Sequence, residues 1–302
     1  ITIDPENPEL YFWRTDVYED LENYEKAVED YNISIGLDSL FGKYYLGRAD
    51  AYKKLEEFEK ALKDYDKAIE LEPNNDVFYS DRAKFYFYQY KDNNKAIEDF
   101  EKAIEINSNK AEYFIDLGNI YAFVERNDEA LKSFEIAISL NSSYSSIYYY
   151  RAGAYENMKD YEKAISDYNK AIELKSNDDT YYYYRGLIYQ IIEDYNKAIK
   201  DFKTAMELDP LDDDYPAKLG YLFAEIKKDY STALSYFIKA AELNDNEPIS
   251  WYNIGVIYSN QLNDSNNALK YLMKSIKVDS TYIDAYFKIA SEYRDKIKDN
   301  DK

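Results

Sequence analysis

Neither histidine nor cysteine occurs among the 302 residues. Their absence removes the usual ligands for zinc, iron and copper, together with the commonest general base and the thiol nucleophile. Any metal would have to be a hard ion held by oxygens, yet the sequence has no calcium loop of alternating Asp and Asn closed by Gly and Glu. Disulfide staples are excluded too, although a lack of cysteine is compatible with reducing and oxidising compartments alike. No run of about 18 apolar residues is available to cross a bilayer, and the first residues lack the basic and apolar regions of a secretory signal. Positive charge is scarce: 38 Lys and Arg face 59 Asp and Glu, a formal net charge of -21. Nucleic acid and anionic membranes are therefore disfavoured as partners, and the acidic faces keep an aromatic-rich surface dissolved.

What is present is a core-forming composition, 46% hydrophobic, organised as a repeat. The Ala of Tyr24-Glu-Lys-Ala27 recurs as Ala61, Ala96, Ala130, Ala164, Ala198, Ala233 and Ala268, at intervals of 34 or 35 residues. Four residues after each stands an aromatic (Tyr31, Tyr65, Phe100, Phe134, Tyr168, Phe202, Phe237), with Leu272 the exception. Upstream a small residue recurs (Thr15, Ala49, Ala83, Gly118, Ala152, Gly186, Gly220, Gly255), followed three later by Tyr or Phe. The spacing is helical: Tyr45, Arg48, Ala49 and Tyr52 form one face of a first helix, and Phe58, Ala61, Leu62, Tyr65, Ala68 and Ile69 one face of a second. Pro73 and Pro210 end helices, with Asn or Asp following to cap the next. Small residues let helices approach, and the aromatics fill the grooves between them.

Three units carry one extra residue, between Tyr86 and Ala96, Phe223 and Ala233, and Tyr258 and Ala268; the turn inside each hairpin is expected to absorb it. Eight helix pairs are expected at 8–41, 42–75, 76–110, 111–144, 145–178, 179–212, 213–247 and 248–282, then a terminal first-type or capping helix with a polar tail at 283–302. Residues 1–7 read as the tail of a preceding repeat, because Ile1-Thr-Ile3-Asp-Pro5 copies Ile69-Glu-Leu71-Glu-Pro73. On that reading the sequence is cut from a longer array.

Together the aromatic, the Leu or Arg, the small residue, the Tyr, the anchor Ala, the second aromatic and the closing Ala resemble the tetratricopeptide repeat family over nearly the whole chain. Pro216, in the place of an early aromatic, is one departure. The resemblance implies an all-α, right-handed superhelical solenoid of antiparallel helix pairs. It also implies that first helices line a concave groove for a peptide or partner protein. Mapped here, the lining is Phe12, Asp16, Leu46, Asp50, Lys53, Ile115, Asn119, Tyr149, Glu156, Tyr183, Leu187, Tyr252 and Phe287. The family's carboxylate clamp needs Lys, Arg and Asn on successive first helices, where this chain has mainly Asp, Leu, Tyr and Ile. An asparagine ladder fails as well, since Asn119 and Asn253 are scattered examples.

Arg14, Arg48, Arg82, Arg151 and Arg185 share one first-helix position, which is Leu117, Leu219 and Ile254 elsewhere. In step, the second helix carries Asp30, Asp64, Asp99, Asp167 and Asp201, against Ser133, Tyr236 and Tyr271. Matched Asp residues favour structural ion pairs within hairpins over an anion-binding ladder. Most of the 37 tyrosines are framework by register. The acidic pairs show no sign of the desolvated, spaced carboxylates that glycosidase chemistry needs. The expected function is thus a protein-interaction scaffold without catalytic, cofactor or metal residues, its partner basic and partly hydrophobic. Second comes a recruitment arm of a larger enzyme or of a secretion or assembly component, and last a catalytic domain.

Overall fold

The computed structural model describes the backbone of residues 5–300 and side chains as far as Arg294. Residues 1–4, most of the segment read as a preceding tail, lie outside it. Two compact units meet in sequence at Met158 and Lys159. Unit 1 holds four antiparallel pairs: α1 (Pro8–Asp20) with α2 (Tyr24–Leu37), α3 (Gly42–Lys54) with α4 (Phe58–Leu71), α5 (Asp76–Phe85) with α6 (Asn93–Ile106), and α7 (Ala111–Phe123) with α8 (Asn127–Leu140), followed by α9 (Ser145–Asn157). Unit 2 opens with α10 (Tyr161–Leu174) and pairs α11 (Asp179–Ile191) with α12 (Tyr195–Leu208), α13 (Asp214–Tyr221) with α14 (Tyr230–Leu243), and α15 (Pro248–Asn260) with α16 (Ser265–Val278). It ends in α17 (Ile283–Asn300). The described residues are all-helical, with no strand.

Each pair closes on one contact. All eight anchor alanines have 0% exposure, and the residue one turn later, an aromatic in seven units and Leu272 in the eighth, is buried in every case. That ring lies against the small residue of the first helix so closely that a methyl group is excluded in some units. A Cβ built on Gly118 would stand 2.8 Å from the Phe134 ring, and one on Gly186 2.7 Å from Phe202. Backbone and ring therefore pack with no side chain between them.

The turns repeat as faithfully. In the first hairpin the Asn23 amide donates to the Tyr18 carbonyl and the Glu22 amide to that of Glu19. These two bonds are a Schellman ending, with Glu22 left-handed at φ 54°. Asn23 then caps α2, its side chain accepting from the Lys26 amide. In the units with an extra residue the closing bond lengthens by one position: the Asp92 amide reaches Tyr86, Asp229 reaches Phe223, and Asp264 reaches Tyr258. In two of them the expectation that the hairpin turn absorbs the insertion is corrected. The first helix instead widens into a π turn, at Tyr86–Tyr90 and Leu222–Ile226. One wider turn keeps all but a few backbone groups bonded, whereas a loop would release several.

The tight contact predicts opposite outcomes for two glycine substitutions. Gly118→Ala should destabilise by about 1 kcal/mol or more, despite its gain in helix propensity. Gly36→Ala has nothing within 4 Å of the new methyl and should stabilise by roughly 0.5 kcal/mol. Urea midpoints of the two variants check this, and equal shifts would refute the close approach.

Candidate functional site

One side of the first helices is built around arginine. Arg14 Nε and Nη2 donate to the two carboxylate oxygens of Asp30, both at 2.6 Å. Arg48 grips Asp64 the same way at 2.7 Å, Arg185 grips Asp201 at 2.7 Å, and Arg82 grips Asp99 at 2.8 and 2.7 Å. These four carboxylates are buried. In three hairpins a third donor reaches the one before: Nη1 of Arg48, Arg82 and Arg185 donates to Asn32, Asp66 and Asn169 at 2.6 to 2.7 Å. Two tyrosines flank each guanidinium, Tyr45 and Tyr52 at 5.5 and 5.9 Å from Arg48, and Tyr148 and Tyr155 at 5.6 and 5.8 Å from Arg151. Asp167 is buried at the start of unit 2. Burial alone would lower the Arg48 pKa, but the Asp64 hydrogen bonds and charge outweigh it and hold it above its usual value.

Units without Arg keep the slot and change its filling. Between Trp251 and Tyr258, where register would place a guanidinium, the ring of Tyr271 stacks at 6.1 and 5.6 Å with interplanar angles of 10° and 6°. Tyr236 stacks on Phe223 in the preceding hairpin. The arginines are thus consumed by the framework.

The residues expected to line the groove fall into three different situations. Ile115 is only 6% exposed, so its placement as an accessible groove contact is corrected: it is buried with most of the apolar residues of α7. Phe12, Leu46, Tyr183, Leu187 and Tyr252 are half-buried because they fill the spaces between successive hairpins. Phe12 lies 5.2 Å from the Tyr44 ring, Tyr183 5.3 Å from Tyr215 and Tyr252 5.4 Å from Tyr282. Leu46 packs with Tyr65 and Phe78, and Leu187 with Phe202 and Leu219. Desolvation, reinforced by Asp214, pushes the Tyr183 phenol up to about 12. Asn119, Tyr149 and Glu156 are half-buried, while Asp16 and Phe287 are exposed.

Carboxylates on the first helices of unit 1 lie close enough to act on one another. Glu19 accepts from the Tyr31 hydroxyl at 2.9 Å, and Asp50 accepts from Tyr65 at 2.8 Å and pairs with Lys53. Glu19 is raised above its normal range by burial and by Asp50 and Asp16, against the Tyr31 bond. Asp81 was not foreseen as a contact, although it shares a register with Trp13 and Asp116. It makes no hydrogen bond or ion pair among the described residues. Burial, reinforced by Asp50, pushes it up to about 6 despite Lys84 and Lys53. Asp116 is raised by burial as well, and Lys84 lies 3.3 Å from it. No group of His, Cys, Asp or Glu suited to a metal occurs among the described residues.

Repeated antiparallel helix pairs, joined by arginine brackets and closed on the same buried contact, define a helical-repeat protein. Family models described as tetratricopeptide repeat match residues 8–39, 42–75, 79–110, 111–144, 145–178, 180–211 and 249–282, and the chain belongs to that family. Among solved structures, YrrB, described as "a TPR protein with an unusual peptide-binding site", is 27% identical, with 63% of this chain and 96% of that one covered and a TM-score of 0.51. A tetratricopeptide repeat protein from Parabacteroides merdae is 16% identical over 82% of this chain and 97% of its own, TM-score 0.65. The APC/C hetero-tetramer Cut9-Hcn1 is 16% identical over 97% of this chain and 57% of its own, TM-score 0.57. These last two support the fold alone. No curated protein matches the chain.

Two measurements test the roles assigned to these charges. Arg48→Leu strands the buried Asp64 and should cost about 3 kcal/mol. The double variant Arg48→Leu/Asp64→Ser copies Leu117 and Ser133 and should recover most of that loss, giving a coupling of about 2 kcal/mol; strict additivity would refute the bracket. For Asp81 the folded value of about 6 exceeds the usual 3.8. Protonation therefore favours folding, a contribution present below the unfolded pKa and lost as pH rises through the folded one. Asp81→Asn should be the more stable protein at about pH 7.5, by about 1 to 3 kcal/mol, with the gap closing as pH falls below the unfolded pKa, to about pH 3. A pH-independent gap would refute the desolvation.

Proposed function

We propose that the chain is a protein-interaction scaffold whose inner face in unit 1 binds a basic, partly hydrophobic peptide. The observation that carries the reading is the run Asp16, Glu19, Asp50 and Asp81 along α1, α3 and α5. Glu19 and Asp81 are raised partly by these neighbouring acids, so a cation laid along the run relieves repulsion that the free protein retains. Trp13, 57% exposed, and the half-buried Tyr149 and Tyr150 offer apolar area in the same unit. The description of YrrB as a peptide binder supports the general mode. Charge would govern encounter and aromatic contact would govern residence.

The test is a labelled peptide alternating Lys and Leu, with its Glu-for-Lys counterpart as control. Asp16→Asn/Asp50→Asn/Asp81→Asn should cut the association rate of the basic peptide about tenfold and flatten its salt dependence. Tyr149→Ala should mainly speed release. Glu25→Gln/Glu29→Gln/Glu59→Gln makes the same charge change on second helices and should leave association nearly intact. Equal losses in the two triple variants would overturn the assigned face.

A further inference from the structure

Successive hairpins within each unit meet at a seam between first helices. On one side stands the residue two before the Arg or Leu position, and on the other the residue four before the next such position. At least one member is large at Phe12 and Tyr44, Leu46 and Phe78, Ser80 and Tyr113, and Tyr183 and Tyr215. Where Ser80 is small, Tyr113 occupies the space and bonds across to Asp76. Between α13 and α15 both members are small, Ala217 and Ser250. The seam there opens into a pocket of about 490 Å³. Most of its lining belongs to the stretch 212–248 that the family matches leave out, while Gln190, Ile249, Ser250 and Asn253 belong to the matched repeats on either side.

The walls indicate what the pocket takes. Its apolar part is Ala217, Ile249 and the ring of the buried Phe237. Around this lie the carboxylates of Asp213, Asp214 and Glu247, opposed by the single ammonium of Lys218. Gln190 lines the same pocket, and its Oε1 is buried without a hydrogen-bond partner. An orphaned buried acceptor carries a desolvation cost. The terminal amide torsion is soft, so a bound donor can turn the amide and relieve that cost.

We infer that this pocket is a socket for one arginine side chain of a bound protein. Its methylenes lie on Ala217 and Phe237, and its planar fork of donors meets Gln190 and the carboxylates of Asp214 and Glu247. Arginine suits the site better than an aromatic filler because the rim carries two more negative charges than positive ones and an acceptor needing a donor. The inference rests on the protein-binding reading only in assigning the side chain to a partner, and it concerns unit 2 alone.

The probe is N-acetyl-arginine methylamide, titrated into the whole chain and followed by amide chemical shifts. Saturable shifts are expected at Gln190, Ala217, Tyr221, Ser250 and Asn253, with the neutral citrulline isostere binding at least about tenfold more weakly. Ala217→Tyr restores the side chain of Tyr183 and should abolish binding with helical content intact. Asp214→Asn/Glu247→Gln keeps every packing volume and should weaken it about tenfold. Absence of saturation, equal binding of citrulline, or binding that survives Ala217→Tyr or Asp214→Asn/Glu247→Gln overturns the socket. Binding of arginine here alongside failure of the Lys and Leu peptide on unit 1 would overturn the functional reading and leave the socket standing.

Discussion

The two helices of a hairpin approach until a buried side chain of the second, a ring in all but the last, rests on a small residue of the first, and that approach fixes the remaining geometry. With the anchor alanines at 0% exposure and a ring within 3 Å of where a Gly118 or Gly186 methyl would stand, neither helix can slide or rotate without a clash. The other positions of the repeat then have fixed addresses. One lies between two tyrosines, one faces the next hairpin, and one is left on neither contact.

The address between tyrosines shows how a fold tolerates buried charge. Removing a guanidinium and a carboxylate from water is costly, and the cost is offset by bidentate geometry, two aromatic faces and, in three hairpins, a third bond to the preceding one. The slot itself accepts either charge or ring, since Tyr271 stacks between Trp251 and Tyr258 as a guanidinium does elsewhere. Much of the tyrosine content follows from this slot, which recurs at Tyr45 and Tyr52, Tyr79 and Tyr86, and Tyr182 and Tyr189.

The expected groove positions divide according to whether a seam consumes them. Phe12, Leu46 and Tyr183 spend their area on a neighbouring hairpin. The filling is incomplete at Asp81, a half-buried carboxylate without a bonded partner, and at Ala217 and Ser250, two small residues that line a pocket, and the proposed contacts are placed there. Register alone could have pointed to Asp81, which stands where other units have Gly47 and Asp116. It could not give the depth of Ile115, because a period of 34 or 35 residues says which side of a helix a residue occupies and nothing of how far the next helix covers it.

The sequence by itself determined the repeat, the all-helical class, the partition into first and second helices and the matched Arg and Asp positions. It did so because each is a local pattern of fixed spacing along one chain. Only the tertiary structure decided that an extra residue widens a helix into a π turn, that Tyr271 replaces a guanidinium, and which of the expected groove side chains remain accessible. Those outcomes depend on competition for space between residues tens of positions apart, where backbone bonding, ring stacking and desolvation are weighed together.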